Sequence, residues 1–283
     1  ILFKNKSLFK VKMNLIAEIG INHNGDIEIC KNLIFCAKQS GFNYVKIQKR
    51  NPDKCVPEEQ KNKMRETPWG TMTYLEYKKK IEFNDDQIKE LLRYANEINI
   101  TMFASVWDID SADLMAKYTK IGKIPSALIT DLELCAYSRE KFDTLIISTG
   151  MSTEDEIETC VQICSPNVVM HSNSTYPCPP EDLNLRYITW LKDKYSDKEI
   201  GYSGHESGII PTLATVPLGV TWIERHVTMD KTMWGSDQKA SLDIQEMFEL
   251  VKNIKIIEKS CQYIPQERIQ FETENIKKKS LRK

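Results

Sequence analysis

The sequence predicts an α/β fold, specifically a closed (β/α)₈ TIM barrel with parallel strands. Eight short runs rich in Val, Ile and aromatic residues alternate with segments of helical periodicity. This alternation favours a parallel sheet, and eight strands can close into a barrel that leaves no unpaired edge. The length of 283 residues also suits this fold, which typically has roughly 250 residues. A doubly wound open sheet is the alternative.

The individual strands and helices can be placed along the chain. A 3.6-residue apolar period predicts helices around residues 29–37, 157–164 and 244–251. Thr153 and Asp243 each precede a Glu by three residues, which is the spacing of a capping box at a helix start. The predicted strands are residues 14–20, 43–48, 101–106, 121–127, 144–149, 167–172, 199–204 and 221–228.

Three stretches fall outside the alternation. Residues 51–83 form a long polar connection after the second strand, and a loop there could cover the barrel mouth. Residues 1–12 precede Met13 and are interpreted as an N-terminal extension that need not be native. Residues 259–283 are highly charged and are predicted to be a solvated tail or linker. The barrel is therefore assigned to residues 13–258.

Composition indicates a cytoplasmic protein that acts on small molecules. The chain has 39 basic and 40 acidic side chains, so no overall field attracts nucleic acid or an anionic membrane. No apolar run reaches the roughly 18 residues that span a bilayer, and no signal peptide is recognisable. The eight cysteines include no Cys-x-x-Cys pair, which argues against both disulfides and a zinc ribbon.

All four histidines lie at or just past the ends of predicted strands, at His23, His171, His205 and His226. The carboxyl ends of barrel strands face one mouth, so four imidazoles there suggest a metal or acid–base site. His205 and His226 end neighbouring strands and can approach one divalent metal, although the residues alone do not rank Mn²⁺, Zn²⁺, Fe²⁺ and Co²⁺. His171 is predicted to line strand six. For His23, loop hydrogen bonding is as good an interpretation as catalysis.

Charged and hydroxyl side chains follow the same placement. Glu18 stands inside an apolar strand, where it costs several kcal/mol unless it is paired or solvated. Lys46 and Lys123 need an anionic partner, either Glu18 or a ligand phosphate or carboxylate. Asp237, after strand eight, could add a carboxylate or orient a metal ligand. Hydroxyls at successive strand ends suggest a phosphate cradle: Ser105, Ser126, Ser148, Thr149, Ser172, Ser174 and Ser203.

A set of motifs resembles the sialic acid synthase family, which comprises the N-acetylneuraminate synthases and their legionaminic and pseudaminic acid relatives. The matching segments run in order from about residue 14 to residue 258. They are A-E-I-G-I-N-H-N-G, V-K-I-Q, K-I-P-S, S-T-G-M-S-T-E-D-E-I, H-S-N-S-T-Y-P, G-Y-S-G-H, E-R-H-V-T and W-G-S-D-Q-K-A-S.

The resemblance implies a barrel that condenses phosphoenolpyruvate with an N-acetylated amino sugar, giving a nine-carbon 2-keto acid and phosphate. By motif, His205 and His226 match the ligands of a divalent metal, usually Mn²⁺ or Mg²⁺. Glu18 matches an acid–base group, and Tyr176 and Asp237 match residues that line the sugar side. The resemblance also implies a possible homodimer. The residues that match the phosphoenolpyruvate cradle are Lys46, Lys123, Ser126, Ser148, Ser174 and Ser203.

The sequence departs from the family pattern at three points, and the first of them bears on the acceptor sugar. Leu128 replaces a carboxylate that would contact the sugar, and Gly204 replaces an acidic residue before His205. The family's C-terminal antifreeze-like domain, which lends an arginine to the partner subunit, has no counterpart in this sequence. A separate chain, a barrel-only variant or a truncated sequence would each account for that.

Three other functions compete with this interpretation. One is a different phosphoenolpyruvate-condensing synthase, of the 3-deoxy-octulosonate-phosphate or heptulosonate-phosphate type. Another is a Schiff-base aldolase, although the sixth strand offers no lysine where such an enzyme needs one. The last is a non-catalytic barrel that binds a sugar or a partner.

Overall fold

Ten strands and eleven α-helices make up the part of the chain that the computed structural model describes, residues 13–261. The strands are β1 (Asn14–Gly20), β2 (Tyr44–Lys49), β3 (Met64–Thr67), β4 (Gly70–Thr73), β5 (Thr101–Val106), β6 (Ile121–Ile124), β7 (Thr144–Ser148), β8 (Val168–Ser172), β9 (Glu199–Gly204) and β10 (Trp222–His226). Eight of them form a closed parallel barrel in the order β1-β10-β9-β8-β7-β6-β5-β2. This confirms the predicted fold class and excludes the open sheet.

Helices follow the strands and pack on the outside of the barrel. The capping boxes predicted at Thr153 and Asp243 are both formed. The helices are α1 (Ile27–Ser40), α2 (Pro52–Cys55), α3 (Glu58–Lys61), α4 (Tyr74–Ile81), α5 (Asp85–Glu97), α6 (Ile109–Ala116), α7 (Leu132–Lys141), α8 (Glu154–Cys164), α9 (Tyr187–Lys194), α10 (Ile210–Thr215) and α11 (Ile244–Ser260).

The predicted strands agree with the observed ones to within about two residues, with one exception. The fourth predicted strand, residues 121–127, ends early, because β6 stops at Ile124 and a 3₁₀ turn occupies Ser126–Leu128. Pro125 lies between them and has no backbone N–H to donate to a sheet. The fourth strand is therefore the shortest in the barrel.

Residues 51–83 form an ordered insertion rather than a plain loop. They contain α2, α3, the antiparallel β3–β4 hairpin and α4. The insertion contacts the segment after β10, because Tyr77 and Trp69 pack edge-on against Trp234 with ring centroids 5.0 and 5.9 Å apart. The predicted position near the barrel mouth fits these contacts, since Trp234 follows the carboxyl end of β10.

The structure describes the C-terminal end of the predicted barrel domain. Helix α11 continues through Ser260, two residues beyond the predicted end of the barrel. The predicted extension at residues 1–12 lies outside the described residues. So does almost all of the predicted charged tail, because the description ends at residue 261.

An apolar layer fills the lower half of the barrel interior. Ring stacking contributes there, with the Tyr44 and Trp222 centroids 5.2 Å apart and Phe103 edge-on to Tyr44 at 6.2 Å. These side chains separate the upper interior from the amino ends of the strands. We call the following set the apolar layer: Ile16, Tyr44, Phe103, Ile121, Ile146, Val168, Met170 and Trp222.

Candidate active site

Two residues beyond the apolar layer, the inward positions of the barrel strands become polar, and β9, which has no side chain in the apolar layer, contributes Ser203 at this level. Successive side chains of a strand alternate between its two faces, so the next inward position is i + 2. On β1 this step leads from Ile16 to Glu18, and on β6 from Ile121 to Lys123. We call the resulting ring the polar layer: Glu18, Lys46, Ser105, Lys123, Ser148, Ser172, Ser203 and Glu224.

The polar layer forms the floor of a cavity of about 460 Å³ at the carboxyl ends of the strands. Active sites of (β/α)₈ enzymes occupy this face of the barrel. Thr149, which the sequence analysis placed among the cradle hydroxyls, does not line the cavity, and its Oγ1 donates to the Met170 carbonyl at 3.3 Å. Thirteen of the side chains selected from the sequence line the cavity: Glu18, Lys46, Ser105, Lys123, Ser126, Ser148, Ser172, Ser174, Tyr176, Ser203, His205, His226 and Asp237.

Buried ion pairs connect the charges of the polar layer. Lys46 Nζ lies 2.5 Å from Glu18 Oε2 and 3.5 Å from Glu224 Oε1, and it donates to Ser105 Oγ at 2.6 Å. Lys123 Nζ donates to Glu224 Oε1 at 2.8 Å. All four ionisable side chains are buried, so each charge depends on its partner. An anionic ligand of the two lysines must compete with these carboxylates.

The two carboxylates of this network titrate in opposite directions. Burial raises the pKa of Glu18 to about 7, against the attraction of Lys46. Burial also acts against ionisation of Glu224, but Lys123 and Lys46 outweigh it and lower the pKa of that carboxyl. Glu224 therefore holds a fixed negative charge, whereas Glu18 can exchange a proton near neutral pH. A group with such a pKa suits general acid–base work.

The lysine pKa values also differ. Burial opposes the charge of Lys46, yet the carboxylates of Glu18 and Glu224 together raise its pKa. For Lys123 burial prevails and lowers the pKa, although Glu224 offsets part of the effect. Both side chains are held by hydrogen bonds in fixed positions on neighbouring parts of the floor.

Several hydroxyl groups converge on one wall of the cavity. The Gly150 backbone N–H donates to Ser126 Oγ at 3.0 Å, and a Cβ at position 150 would lie 2.5 Å from Ser174 Oγ. Glycine is thus needed for the two serines to approach the chain there. Ser148 Oγ and Ser172 Oγ are buried and have no partner among the described residues. Buried hydroxyls without a protein partner point to a ligand or water.

His205 and His226 face each other, with ring centroids 5.4 Å apart. Burial lowers the pKa of each imidazole to about 3, so both rings are neutral at pH 7. The Nδ1–H of His205 donates to the Asn173 carbonyl at 2.5 Å, which leaves Nε2 as the acceptor of the Tyr176 hydroxyl at 2.9 Å. His226 Nδ1 is buried, has no hydrogen-bond partner within residues 13–261 and lies 3.8 Å from Asp237 Oδ2.

These features fit a divalent metal held by the protein at two positions. Neutral imidazoles are good ligands, and the Asn173 contact fixes the tautomer of His205 as ligating histidines require. Within residues 13–261 no group of three or more His, Cys, Asp and Glu side chains is arranged to hold a metal.

The other two histidines lie outside the cavity. The prediction that His171 lines strand six is wrong, because its inward neighbours are Met170 and Ser172, and the His171 ring packs outward with Nε2 2.7 Å from the Leu183 carbonyl. His23 stacks on Phe83 at 4.1 Å, and its Nδ1 accepts from the Gly25 N–H at 3.0 Å.

Neither of the two positions that are acidic in the family pattern, 128 and 204, has a carboxylate in this chain. Leu128 packs against the hydrophobic core and does not line the cavity, although its neighbour Ala127 does. A Cβ at Gly204 would lie 2.5 Å from Glu206 Oε2, and Glu206 is itself buried and paired with Arg225 at 3.0 Å. A carboxylate at position 204 would not fit beside that pair.

Sequence reasoning missed several residues that line the cavity. Glu224 was overlooked beside His226, although its position two residues before an inward histidine on β10 was a usable signal. Arg50 follows the inward series Lys46 and Gln48 and could have been found in the same way. Lys78, from α4, gave no such signal because the insertion has no strand periodicity.

The fold and the site together define a (β/α)₈-barrel enzyme whose pocket combines paired cations, free hydroxyls and two neutral imidazoles. Comparison with known proteins agrees with that class. The chain belongs to the NeuB family, whose profile matches residues 33–264. No helix within residues 13–261 has both the length and the apolar character needed to cross a membrane. The cytoplasmic location and the homodimer stay predictions.

Two curated relatives illustrate the similarity. Human N-acetylneuraminate-9-phosphate synthase is 37% identical over 260 residues, which cover 87% of this chain and 70% of the relative. N,N'-diacetyllegionaminic acid synthase of Campylobacter jejuni is 35% identical over 263 residues, or 88% of this chain and 77% of that protein. The prediction of an enzyme of the sialic acid synthase type is confirmed.

Solved structures give the same result for the fold. The crystal structure of N-acetylneuraminic acid synthetase from Leptospira borgpetersenii, in complex with citrate, matches with a TM-score of 0.83 and 29% identity. That match covers 93% of this chain and 90% of the other. A truncated 3-deoxy-D-arabino-heptulosonate 7-phosphate synthase from Thermotoga maritima matches with a TM-score of 0.65 and 14% identity, which shows the shared fold alone.

Proposed function

We propose that this protein condenses phosphoenolpyruvate with the open-chain form of an N-acetylated amino sugar resembling N-acetylmannosamine. The products would be a nonulosonic (sialic-type) acid and inorganic phosphate, released by C–O cleavage. One observation carries the proposal: a single cavity is lined by Lys46 and Lys123, by hydroxyl groups that have no partner among the described residues, and by two neutral imidazoles. Membership of the NeuB family supports it independently.

The floor of the cavity suits the phosphoenolpyruvate half of the reaction. Lys46 and Lys123 would bind the anionic groups, and Ser148 Oγ can donate to a phosphate oxygen because it has no partner in the described part of the chain. Charge builds up on the phosphate as it leaves, and fixed cations in a buried site stabilise such charge without reorganising. Ser105 orients Lys46 through its 2.6 Å hydrogen bond.

Glu18 would handle the proton of the attacking water. After C3 of phosphoenolpyruvate has joined the aldehyde carbon, water adds at C2, and Glu18 can accept a proton on its carboxylate. A pKa of about 7 makes the group competent both to take up and to return a proton at neutral pH. Protonation of Glu18 also weakens its hold on Lys46, which frees that ammonium for the phosphate.

The mouth of the cavity suits the sugar and the metal. His205 Nε2 and His226 would hold Mn²⁺ or Mg²⁺, with Asp237 placed to orient His226. When bound, the metal would act as a Lewis acid on the aldehyde oxygen of the sugar. Tyr176 stacks 4.0 Å from His205 and would line the sugar side of the site.

Phosphate release tests this proposal directly. The full chain would be incubated with phosphoenolpyruvate, MnCl₂ and a panel containing N-acetylmannosamine, its 6-phosphate and arabinose 5-phosphate, with products identified by mass spectrometry. We expect a nonulosonic acid with one of the N-acetylated sugars. Turnover with arabinose 5-phosphate alone would indicate a 3-deoxy-octulosonate type of synthase, and no turnover with any sugar would indicate a non-catalytic barrel.

Two further measurements test the parts of the mechanism. His205→Ala should weaken Mn²⁺ binding, measured by electron paramagnetic resonance, and abolish turnover, whereas His171→Ala should leave Mn²⁺ binding unchanged because that ring lies outside the cavity. Undiminished Mn²⁺ binding by His205→Ala would refute the metal assignment. Borohydride with pyruvate should trap no adduct, because Lys46 and Lys123 are paired with carboxylates rather than free to form a Schiff base.

A further inference from the structure

A buried ion pair lies on the outer side of the barrel wall, behind the two imidazoles of the cavity. Arg225 stands between Glu224 and His226 on β10, and both of these line the cavity, so the Arg225 side chain lies on the outer face of the strand. Glu206 follows His205 in the same way. Arg225 Nη1 lies 3.0 Å from Glu206 Oε1, and both side chains are buried. The proposed reaction does not use this pair.

Arg225 connects the segments that follow β9 and β10. Its Nη1 donates to the Gly208 carbonyl at 2.7 Å and its Nη2 to the Glu206 carbonyl at 2.5 Å, so it holds the turn after His205 through backbone atoms. Its Nη2 also donates to the Ala240 carbonyl at 3.4 Å, in the segment after β10. Arginine suits this position because its planar fork donates in several fixed directions. One guanidinium thus fixes two segments beside the candidate metal site.

Both oxygens of the Glu206 carboxylate are held by neighbours. Oε1 accepts from Arg225 and from Thr212 Oγ1, the latter at 2.5 Å, and Oε2 accepts from the Tyr202 hydroxyl at 2.8 Å. Arg225 Nη1 donates to Thr212 Oγ1 at 2.8 Å, which closes the network. Loss of either charge would leave the other buried without its partner, which is strongly unfavourable. The turn after β9 therefore depends on this pair for its position.

Gly204 leaves the space that the Glu206 carboxylate occupies. It is the register partner of Arg225 on the neighbouring strand, so the two positions share the outer face of the barrel. A Cβ at position 204 would lie 2.5 Å from Glu206 Oε2 and 3.0 Å from Arg225 Cδ. An acidic side chain at 204, the residue type of the family pattern, would therefore lie beside the same guanidinium. The space next to Arg225 has room for one carboxylate, from position 204 or from position 206.

We propose that Glu206 supplies the carboxylate that the family pattern has at position 204, and that its ion pair with Arg225 positions His205 and His226 for the divalent metal. This inference rests on the proposed function. The pair acts through the backbone, since Glu206 follows one imidazole and Arg225 precedes the other. Metal–ligand distances must be met to within about 0.2 Å, so a small shift of either segment lowers the affinity. Glu206 and Arg225 are positioning residues in this sense.

The experiment moves the carboxylate between the two positions and measures the Mn²⁺ affinity of the full chain by electron paramagnetic resonance, without substrate. Glu206→Ser should weaken Mn²⁺ binding about 10- to 100-fold, the loss typical when a residue that supports a metal ligand is removed. Gly204→Asp alone should weaken it as well, because two carboxylates would crowd one guanidinium. The double variant Gly204→Asp/Glu206→Ser should recover most of the affinity, since the two substitutions compensate each other.

Glu199→Ala is the matched control, because Glu199 also joins β9 to β10, but at their amino ends. It accepts from Trp222 Nε1 at 2.7 Å and from Thr221 Oγ1 at 2.9 Å. Its loss should lower the free energy of unfolding, measured by chemical denaturation, and leave the Mn²⁺ affinity of the folded protein unchanged. If Glu206→Ser did the same, Glu206 would serve stability alone and the inference would be overturned.

The double variant decides the case in which the single variants do not fold, because it alone is expected to recover both the fold and the Mn²⁺ affinity. A double variant that does not fold, or that binds Mn²⁺ no better than a folded Glu206→Ser, would overturn the inference and leave the proposed function standing. Failure of the unaltered protein to bind Mn²⁺ would instead remove the metal assignment of the proposed function, and this inference with it.

Discussion

The apolar and polar layers of the barrel interior lie only two residues apart along the strands, and every barrel strand except β9 contributes to both. In the lower layer Ile16, Phe103 and Trp222 exclude water and are packed by shape. In the upper layer Glu18 and Lys123 are equally buried but are held by ion pairs and hydrogen bonds. Burial alone therefore does not separate packing residues from functional ones. What separates them is whether the buried group is apolar and held by packing alone, or polar and dependent on a partner.

The largest expected effect concerns the lower layer. Phe103→Ala should lower the free energy of unfolding by about 3–5 kcal/mol, because it leaves a cavity in the packed interior. The kcat of the folded fraction, measured at low temperature, should change only a few-fold. Chemical denaturation gives the first quantity and phosphate release the second. A large loss of kcat in a stably folded variant would mean that the two layers are not separable.

The second effect concerns the upper layer. Lys123→Met should reduce kcat by about 10²–10³-fold, because a fixed cation no longer stabilises the departing phosphate. Lys120→Met is the control, since Lys120 is exposed three residues earlier in the chain and should retain full activity. Phosphate release is the measurement. Retention of activity by Lys123→Met would show that the upper layer serves folding rather than catalysis.

The third effect concerns His23, a histidine that follows a strand end but lies outside the cavity. Burial lowers the pKa of His23 to about 3, from 6.5, so the unfolded chain takes up a proton that the folded chain does not between these values. Stability from this group is present above about pH 6.5 and is lost as the pH falls. From pH 7 to pH 5 the loss is about 2 kcal/mol.

His23→Gln should make the pH dependence of unfolding shallower by that amount. Denaturant titrations at pH 5 and pH 7 measure it, without metal or substrate. An unchanged difference between the two pH values would show that His23 is not buried in its neutral form. Activity at pH 7 should be nearly the same in variant and parent, since His23 does not line the cavity.

The smallest expected effect comes from one hydroxyl of the upper layer. Ser148→Ala should raise the KM of phosphoenolpyruvate about tenfold, the loss of one hydrogen bond to a charged group, with no loss of stability. Ser138→Ala is the control, because Ser138 Oγ is also buried and has no partner among residues 13–261, but it lies on α7, away from the cavity. If both variants left KM unchanged, Ser148 would not contact the substrate.

Much of this architecture follows from local sequence patterns, for reasons visible in particular residues. The barrel strands were predictable because each has a short β-branched or aromatic run, and their inward polar residues because Glu18 and Lys46 stand out in apolar surroundings. His171 was misplaced because a strand end alone does not say which face a side chain occupies. The period of two, counted from Met170 and Ser172, does.

The remaining features depend on contacts distant in sequence. Lys78 lines the cavity from an insertion whose Tyr77 and Trp69 pack on Trp234, about 160 residues further along the chain. The pairing of Glu224 with both lysines depends on barrel closure, which brings strands from the two ends of the chain together. The roles assigned to the site residues from the family resemblance stay predictions until the variants are measured.

The barrel strands and the insertion at residues 51–83 contribute different parts of the cavity lining. The floor of the cavity belongs to strands whose register is fixed by closure, and its buried charges depend on one another. Lys78 instead sits on a short helix of an appended segment whose hairpin pairs only with itself. Selection could therefore exchange the recognition of one acceptor for another within this segment while the chemistry on the floor remained untouched.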